Sequence, residues 1–136
     1  MPYPVIPDVP AAPFAQLYPS ASTPEVISSG VKAAAVASAA IPASTSGQTS
    51  YLTGFEIVGS GATAASVVVV TVTDGTWTLS YPVAVVAGAT LQNPALVVRF
   101  NPPLKASAAN TAITVSCPSL GSGNTNNVVN AEGFQL

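Results

Sequence analysis

The sequence predicts an all-β protein, an antiparallel β-sandwich of jelly-roll type that follows an extended, proline-rich N-terminal arm. Three observations predict this fold class. Apolar and polar residues alternate with a period of two from residue 51 onward. Turn-forming residues separate six to eight such runs at intervals of about 10–15 residues. Seven of the 13 prolines lie within the first 28 residues, where they disfavour any regular helix or central strand.

The N-terminal arm (residues 1–28) is predicted to be extended, because proline fixes φ and removes backbone donors. Large apolar side chains are interleaved among its prolines, whereas a plain disordered tail is poor in such groups. We therefore expect the arm to lie in a groove on a partner, with these side chains as anchors. The alternative is an arm that packs back on its own domain or stays mobile. The candidate partner-binding residues are Tyr3, Ile6, Phe14, Leu17 and Tyr18.

Residues 29–136 form the predicted sandwich domain. Its first part, residues 31–40, is rich in alanine, which favours a helix, but it has no clear amphipathic stripe. A short helix and an edge strand both remain open for this stretch. Pro42 ends it, and residues 44–47 indicate a loop.

The strands that follow are predicted from alternation and from β-branched residues. In the first, Tyr51, Phe55 and Ile57 share one face, and Leu52 lies on the opposite face. A later run places Ile113 and Cys117 on one face, which predicts that the cysteine is a core residue. The predicted strands cover residues 51–58, 65–73, 76–81, 83–86, 95–100, 111–117 and 128–134.

Turn chemistry predicts where these strands end. Asp74-Gly75 is typical of a two-residue hairpin, because both central residues of a type I′ turn have positive φ. Pro82 ends the next strand or marks a sheet edge, and residues 101–103 close a later strand. The segments 59–61 and 121–123 lack the strand-to-helix context of a phosphate-binding loop and are predicted to be turns.

The composition excludes several kinds of function. The chain has 136 residues, of which three are basic and five acidic; it contains one cysteine and no histidine. It therefore cannot build a Cys/His zinc site or a Ser-His-Asp triad, and three cations are too few for nucleic-acid binding. No run of 18 apolar residues occurs, which argues against a membrane span. We expect no enzyme, no cofactor and no metal. Because so few charges leave little repulsion between copies, we expect assembly instead.

The remaining candidate chemistry concerns a few carboxylates. Paired carboxylates can hydrolyse glycosides. Glu56 and Glu132 lie on different predicted strands, and they would form such a pair if these strands are neighbours. The simpler interpretation is that both face solvent or another subunit, with Arg99 and Lys105 available as ion-pair partners. Asp74 is interpreted as a turn former.

One tryptophan offers a second candidate site. Trp77 lies in a threonine-rich strand, where an exposed aromatic ring, together with Tyr81, would suit a sugar. Packing of Trp77 into the core is the simpler interpretation.

From residue 33 to residue 134 the chain resembles a family of small β-sandwich virion proteins of tailed bacteriophages. Members of this family are jelly-roll domains, often trimeric, that serve as capsid decoration (cement) proteins or as parts of tail and fibre assemblies. The resemblance covers about three quarters of the chain, and the proline-rich arm has no counterpart in it. The matching segments are residues 32–35, 49–55, 62–64, the valine-rich run that ends at 74–75, and 100–104, 109–115 and 129–134.

The resemblance implies a capsid decoration protein on the exterior of the virion. Such a protein would form a homotrimer through its sandwich and bind the major capsid protein, with no nucleic acid or membrane as partner. Its arm would reach neighbouring subunits, and many weak contacts would sum by avidity. The alternatives are a tail, fibre or baseplate component and a host-glycan-binding module.

Overall fold

The computed structural model describes residues 18–88 and 96–136, which form two four-stranded antiparallel sheets. No helix occurs in this part of the chain. The predicted all-β sandwich is therefore confirmed. The strands are β1 (Thr23–Ser28), β2 (Ala37–Ile41), β3 (Ser50–Ser60), β4 (Ser66–Thr73), β5 (Thr78–Val85), β6 (Leu96–Lys105), β7 (Ile113–Cys117) and β8 (Asn126–Gln135).

The order of the strands is that of a jelly roll. Sheet A has the order β1-β8-β3-β6, and sheet B has the order β2-β7-β4-β5. Strand β1 pairs with β8, β2 with β7, β3 with β6 and β4 with β5, all antiparallel. The chain therefore runs as one long hairpin whose successive strand pairs alternate between the sheets. This is the eight-stranded arrangement of two Greek keys that defines a jelly roll.

The two sheets share one apolar core between their inner faces. At its centre is the fully buried Phe55, whose ring lies 5.5 Å from Tyr81 and 6.2 Å from Phe100, measured between centroids. The phenyl ring of Phe55 comes from sheet A and the Tyr81 ring from sheet B, so this contact joins the sheets. The other large, fully buried apolar side chains are Ile41, Leu52, Val70, Val72, Ile113, Val115, Cys117 and Val129.

The alanine-rich stretch contains a strand and no helix. Residues 37–41 form β2, an edge strand of sheet B, in which Ala37, Ala39 and Ile41 are buried. Alanine occurs here because its small side chain fits close to the neighbouring sheet, and this packing overrides its preference for helix.

Strand β3 shows why the predicted alternation was wrong at one point. Leu52 and Phe55 are both fully buried, although three positions separate them in sequence. The register of β3 with both of its neighbours shifts between Leu52 and Gly54, as in a β-bulge. The extra residue turns Phe55 to the same side as Leu52, so the strand buries apolar side chains on both sides of the irregularity.

The predicted two-residue hairpin at residues 74–75 was also wrong. The last ladder pair of β4 and β5 is Thr73 with Thr78, which leaves a four-residue loop between the strands. Only Gly75 has a positive φ there, at 90°, so the backbone does not form a type I′ turn. Hydrogen bonds from the loop to Asp74 stabilise the longer connection, as described below.

Prolines mark sheet edges in this fold. Pro82 lies within β5, and Pro102 and Pro103 lie within β6, so the prediction that residues 101–103 close a strand was wrong. Both β5 and β6 are edge strands. An edge strand has one side without ladder hydrogen bonds, and a proline is tolerated there because no donor is required. The two adjacent prolines of β6 also lie in residues 100–103, which the register leaves without a partner on β3.

The start of the sandwich differs from the predicted domain boundary at residue 28. Residues 23–28, assigned to the arm by sequence, form β1. Each residue of β1 pairs with a residue of β8. Pro24 is tolerated because β1 is an edge strand of sheet A. The part of the arm formed by residues 1–17 lies outside the described residues.

Candidate interaction surfaces

The outer face of sheet B, here called the neutral face, has no charged side chain. None of its four strands contains a lysine, arginine, aspartate or glutamate. Strand pairing aligns small polar residues across it: Ser116 lies opposite Ser38 on one side and Thr71 on the other. Thr71 in turn lies opposite Ser80. The row Ser38–Ser116–Thr71–Ser80 therefore crosses the whole sheet, and the row Ala40–Thr114–Thr73–Thr78 runs beside it.

Two valines extend the neutral face beyond these rows. Val67 and Val69 of β4 are 67% and 43% exposed, and they lie opposite Ala84 and Pro82 of β5. A strand that faced only water on this side would be expected to alternate apolar with polar residues. Apolar residues on both faces of β4 are instead typical of a strand that is covered on both sides.

The outer face of sheet A, here called the charged face, has the opposite character. Arg99 of β6 reaches across β3 to Glu132 of β8, and the closest nitrogen and oxygen atoms are 3.6 Å apart. Gly54 lies between them in the pairing register. A Cβ atom at Gly54 would lie 2.5 Å from Arg99 Nη1 and 2.7 Å from the carbonyl oxygen of Val98. Glycine at this position therefore leaves the space that the arginine side chain occupies.

The structure brings the two carboxylates singled out by sequence close to each other. Glu56 lies opposite Asn130, two residues from Glu132 on β8, so the glutamates are diagonal neighbours on adjacent strands. Glu56 Oε1 accepts a hydrogen bond of 2.8 Å from Asn130 Nδ2. Each carboxylate thus has its own partner, Asn130 or Arg99, and both side chains belong to the charged face.

Asp74 has a structural role at the end of sheet B. Its Oδ1 accepts hydrogen bonds from the backbone nitrogens of Thr76 (2.8 Å) and Trp77 (3.0 Å), and Oδ2 accepts one from Ser107 (2.6 Å). Desolvation alone would raise the pKa of this carboxyl, but the hydrogen bonds from Ser107, Trp77 and Thr76 outweigh it and hold the pKa well below its usual range. Because Ser107 follows β6, Asp74 connects the β4–β5 loop of sheet B to sheet A.

The two aromatic residues considered for sugar binding and the single cysteine contribute to the core. Trp77 and Tyr81 are half-buried and pack against the central cluster. Burial raises the pKa of Tyr81. Cys117 is fully buried, as predicted, and burial raises the pKa of its thiol despite an opposing hydrogen bond with Asn127. A buried thiol with a raised pKa is a poor nucleophile.

A pocket of about 580 Å³ lies where β3, β6 and β8 meet the beginning of the described chain. Tyr51 stacks on Phe134 with ring centroids 4.8 Å apart, and Tyr18 meets Phe134 edge-on at 6.0 Å. We call this site the aromatic pocket. Its walls are Tyr18, Pro19, Tyr51, Pro102, Pro103, Phe134 and Leu136, none of which has a charged side chain.

The aromatic pocket contains one of the five residues predicted to bind a partner. Tyr18 is half-buried in its wall, whereas Tyr3, Ile6, Phe14 and Leu17 lie outside the described residues. Sequence reasoning missed the rest of the pocket, because its residues come from strands distant in the chain. The sequence offered one signal: Tyr51 lies near the start of one predicted strand, and Phe134 lies near the end of another. The β3–β8 register places these two aromatic residues opposite each other.

Within residues 18–88 and 96–136, no group of three or more histidine, cysteine, aspartate or glutamate side chains is placed to bind a metal ion. In the same residues, no helix has the length and hydropathy needed to cross a membrane. In comparisons with known proteins, no family model matches the chain, and no curated protein and no solved structure matches it.

Proposed function

We propose that this chain is a structural protein of a tailed-phage virion, a capsid decoration protein on the exterior of the head that forms a homotrimer. The neutral face is the observation that carries the proposal. An eight-stranded jelly roll is a common architecture of capsid proteins, and it is also found in lectins. A sheet whose outer face has no charge and exposes valines is suited to permanent contact with another protein surface.

Self-association through the neutral face is favoured by its chemistry. Burying a charge costs several kcal/mol unless the charge is well paired, and this face has no charge to bury. Its hydroxyl groups can form hydrogen bonds across an interface, and Val67 and Val69 add apolar area. A second copy of the same chain adds little electrostatic repulsion, because the net charge is only −2.

Contact with the shell is assigned to the arm. Its anchors would be Tyr3, Ile6, Phe14 and Leu17, in a groove of the major capsid protein. Three arms on one trimer would act together, so that weak individual contacts give stable attachment. Added contacts of this kind would help the shell to resist internal pressure.

The trimer is tested by placing one charge on each outer face. Val69→Lys puts an ammonium group on the neutral face, and Val97→Lys is the matched control on the charged face, where Val97 is 54% exposed. Light scattering should give three times the 13.5 kDa chain mass for the wild type and for the control. Val69→Lys should be monomeric with an unchanged circular dichroism spectrum. A monomeric wild type, or two variants that behave alike, would contradict the proposal.

The location on the virion needs a separate measurement. Quantitative mass spectrometry of purified particles of the encoding phage should find hundreds of copies per particle for a decoration protein. A few copies per particle would indicate a tail, fibre or baseplate component and would overturn the location proposed here. Chain lacking residues 1–17 should still trimerise but fail to bind shells; binding at full strength would refute the role of the arm.

A further inference from the structure

The aromatic pocket has the features of a site for a proline-rich peptide. Extended proline-rich segments bind in shallow grooves lined by aromatic rings, because the polyproline II helix is preformed and loses little entropy on binding. The stacked rings of Tyr51 and Phe134 and the edge-on ring of Tyr18 provide such a lining. Pro102 and Pro103 add a rigid apolar wall.

The chain itself contains a segment of matching chemistry. Residues 1–17, here called the proline segment, have prolines at positions 4, 7, 10 and 13, at a spacing of three. A polyproline II helix has three residues per turn, so these four prolines would lie along one side of it. The segment contains no basic side chain, and Asp8 is its one charged side chain. A ridge of prolines suits a pocket whose lining side chains are also uncharged.

The connection between the segment and the pocket indicates which copy of the chain supplies it. Tyr18 and Pro19 are walls of the pocket, so the proline segment begins at the pocket itself. A 17-residue polyproline II segment is about 50 Å long at 3.1 Å per residue. A turn of a few residues before Tyr18 therefore leaves enough length to lay Pro4–Pro13 across the pocket. Because the two are tethered, their effective concentration is in the millimolar range.

We propose that the aromatic pocket binds the proline segment of its own chain, with the prolines at positions 4, 7, 10 and 13 packed against Tyr51, Phe134 and Tyr18. This contact concerns the single chain and does not depend on the proposed virion function. A shell protein that binds the arm would have to displace the segment from the pocket.

Paramagnetic relaxation in the full-length protein tests the contact. A nitroxide is attached to Ala11→Cys; Cys117 is buried and does not take the label. The label should broaden the amide signals of Tyr51, Phe134 and Leu136, and it should leave Thr71 and Ser116 on the neutral face unaffected. No broadening at the pocket, or equal broadening at both places, would overturn the proposal.

Variants in the proline segment separate the proposed mode from a non-specific contact. Replacing the prolines at 4, 7, 10 and 13 by alanine should lower the bound fraction by about tenfold or more, because the freed backbone loses its preformed shape. The matched control replaces Val5 and Val9 by alanine, which leaves the prolines in place. The sandwich does not include these positions, so its fold should be unchanged. Equal loss in both variants would refute recognition of the prolines.

A mixed sample identifies the copy that supplies the segment. Isotope-labelled chain without nitroxide is refolded together with unlabelled chain that carries it. Binding within one chain predicts that the pocket signals of the isotope-labelled chain stay sharp. Broadening in this sample would show that the segment of a second copy occupies the pocket, and it would overturn the assignment to the same chain. This result is independent of the Val69→Lys test of the trimer.

Discussion

The outer faces of the two sheets differ more than their inner faces do. Both sheets bury small and β-branched side chains in one core, yet sheet A contains Glu25, Glu56, Arg99, Lys105 and Glu132, and sheet B contains no charged residue. On the charged face Arg99, Glu132 and Glu56 have partners within the same chain, whereas the neutral face has only hydroxyl-bearing and apolar side chains. The difference indicates that the neutral face is the better suited of the two to a further protein layer, because it has no charge to desolvate.

The largest expected effect comes from charging the neutral face. Val69→Lys should abolish self-association, because an unpaired charge in an interface costs about 3–5 kcal/mol. Val97→Lys on the charged face should have little effect on association. Sedimentation equilibrium over a range of concentrations measures both dissociation constants, and identical constants would remove the distinction between the faces.

The second effect concerns packing on the charged face. Gly54→Ala places a methyl group 2.7 Å from the carbonyl oxygen of Val98, so the backbone of β6 must shift. We expect a loss of about 1–3 kcal/mol in the free energy of unfolding, measured with urea. Gly75→Ala is a less informative control because of its positive φ, so Ser116→Ala on the neutral face is the better comparison. If Gly54→Ala lowers the free energy of unfolding by less than Ser116→Ala does, the close approach of Arg99 to Gly54 is contradicted.

The third effect comes from the carboxylate that connects the two sheets. Asp74→Asn weakens the charge-assisted hydrogen bonds from Ser107, Trp77 and Thr76, and it should cost about 1–2 kcal/mol for a partly exposed group. The folded-state pKa lies below the ordinary value of 3.8. The stabilisation is therefore present above about pH 4 and is lost as the pH falls below that value.

Urea unfolding of the wild type and of Asp74→Asn at several pH values measures how the stabilisation by Asp74 depends on pH. The difference between wild type and Asp74→Asn should be constant near neutral pH and shrink in acid. A difference that grows as the pH falls would contradict the lowered pKa. Glu56→Gln is the matched control, a carboxylate on the charged face that accepts a hydrogen bond from Asn130.

The smallest effect is expected from the ion pair itself. Arg99 and Glu132 are 53% and 40% exposed, and a pair of this kind contributes about 0–1 kcal/mol in water. Arg99→Gln should therefore change the free energy of unfolding by less than Gly54→Ala does. Thermal unfolding at low and high salt checks this, since the contribution of a surface pair decreases with ionic strength. A loss larger than that of Gly54→Ala would show that the charged face depends on this pair.

Local patterns predicted the elements well where pattern and packing agree. The alternation around Ile113 and Cys117 gave the right strand and the right buried face, because β7 is regular and lies between two other strands. The pattern failed at Leu52 and Phe55, since a bulge is set by the register with neighbouring strands. It failed again at Pro102. Sequence alone interprets this proline as a strand end, whereas the edge strand β6 continues through it.

The composition by itself excluded catalysis or metal binding by histidine and showed that the chain has few charges. The alternation of apolar and polar residues determined an all-β fold. Neither established that the four strands without charges form one sheet. That depended on long-range pairing, since β2, β4, β5 and β7 meet only when the chain folds as a jelly roll. The same pairing assembled the aromatic pocket from Tyr18, Tyr51 and Phe134. Periodicity records which residues are buried, whereas strand order decides which exposed residues become neighbours.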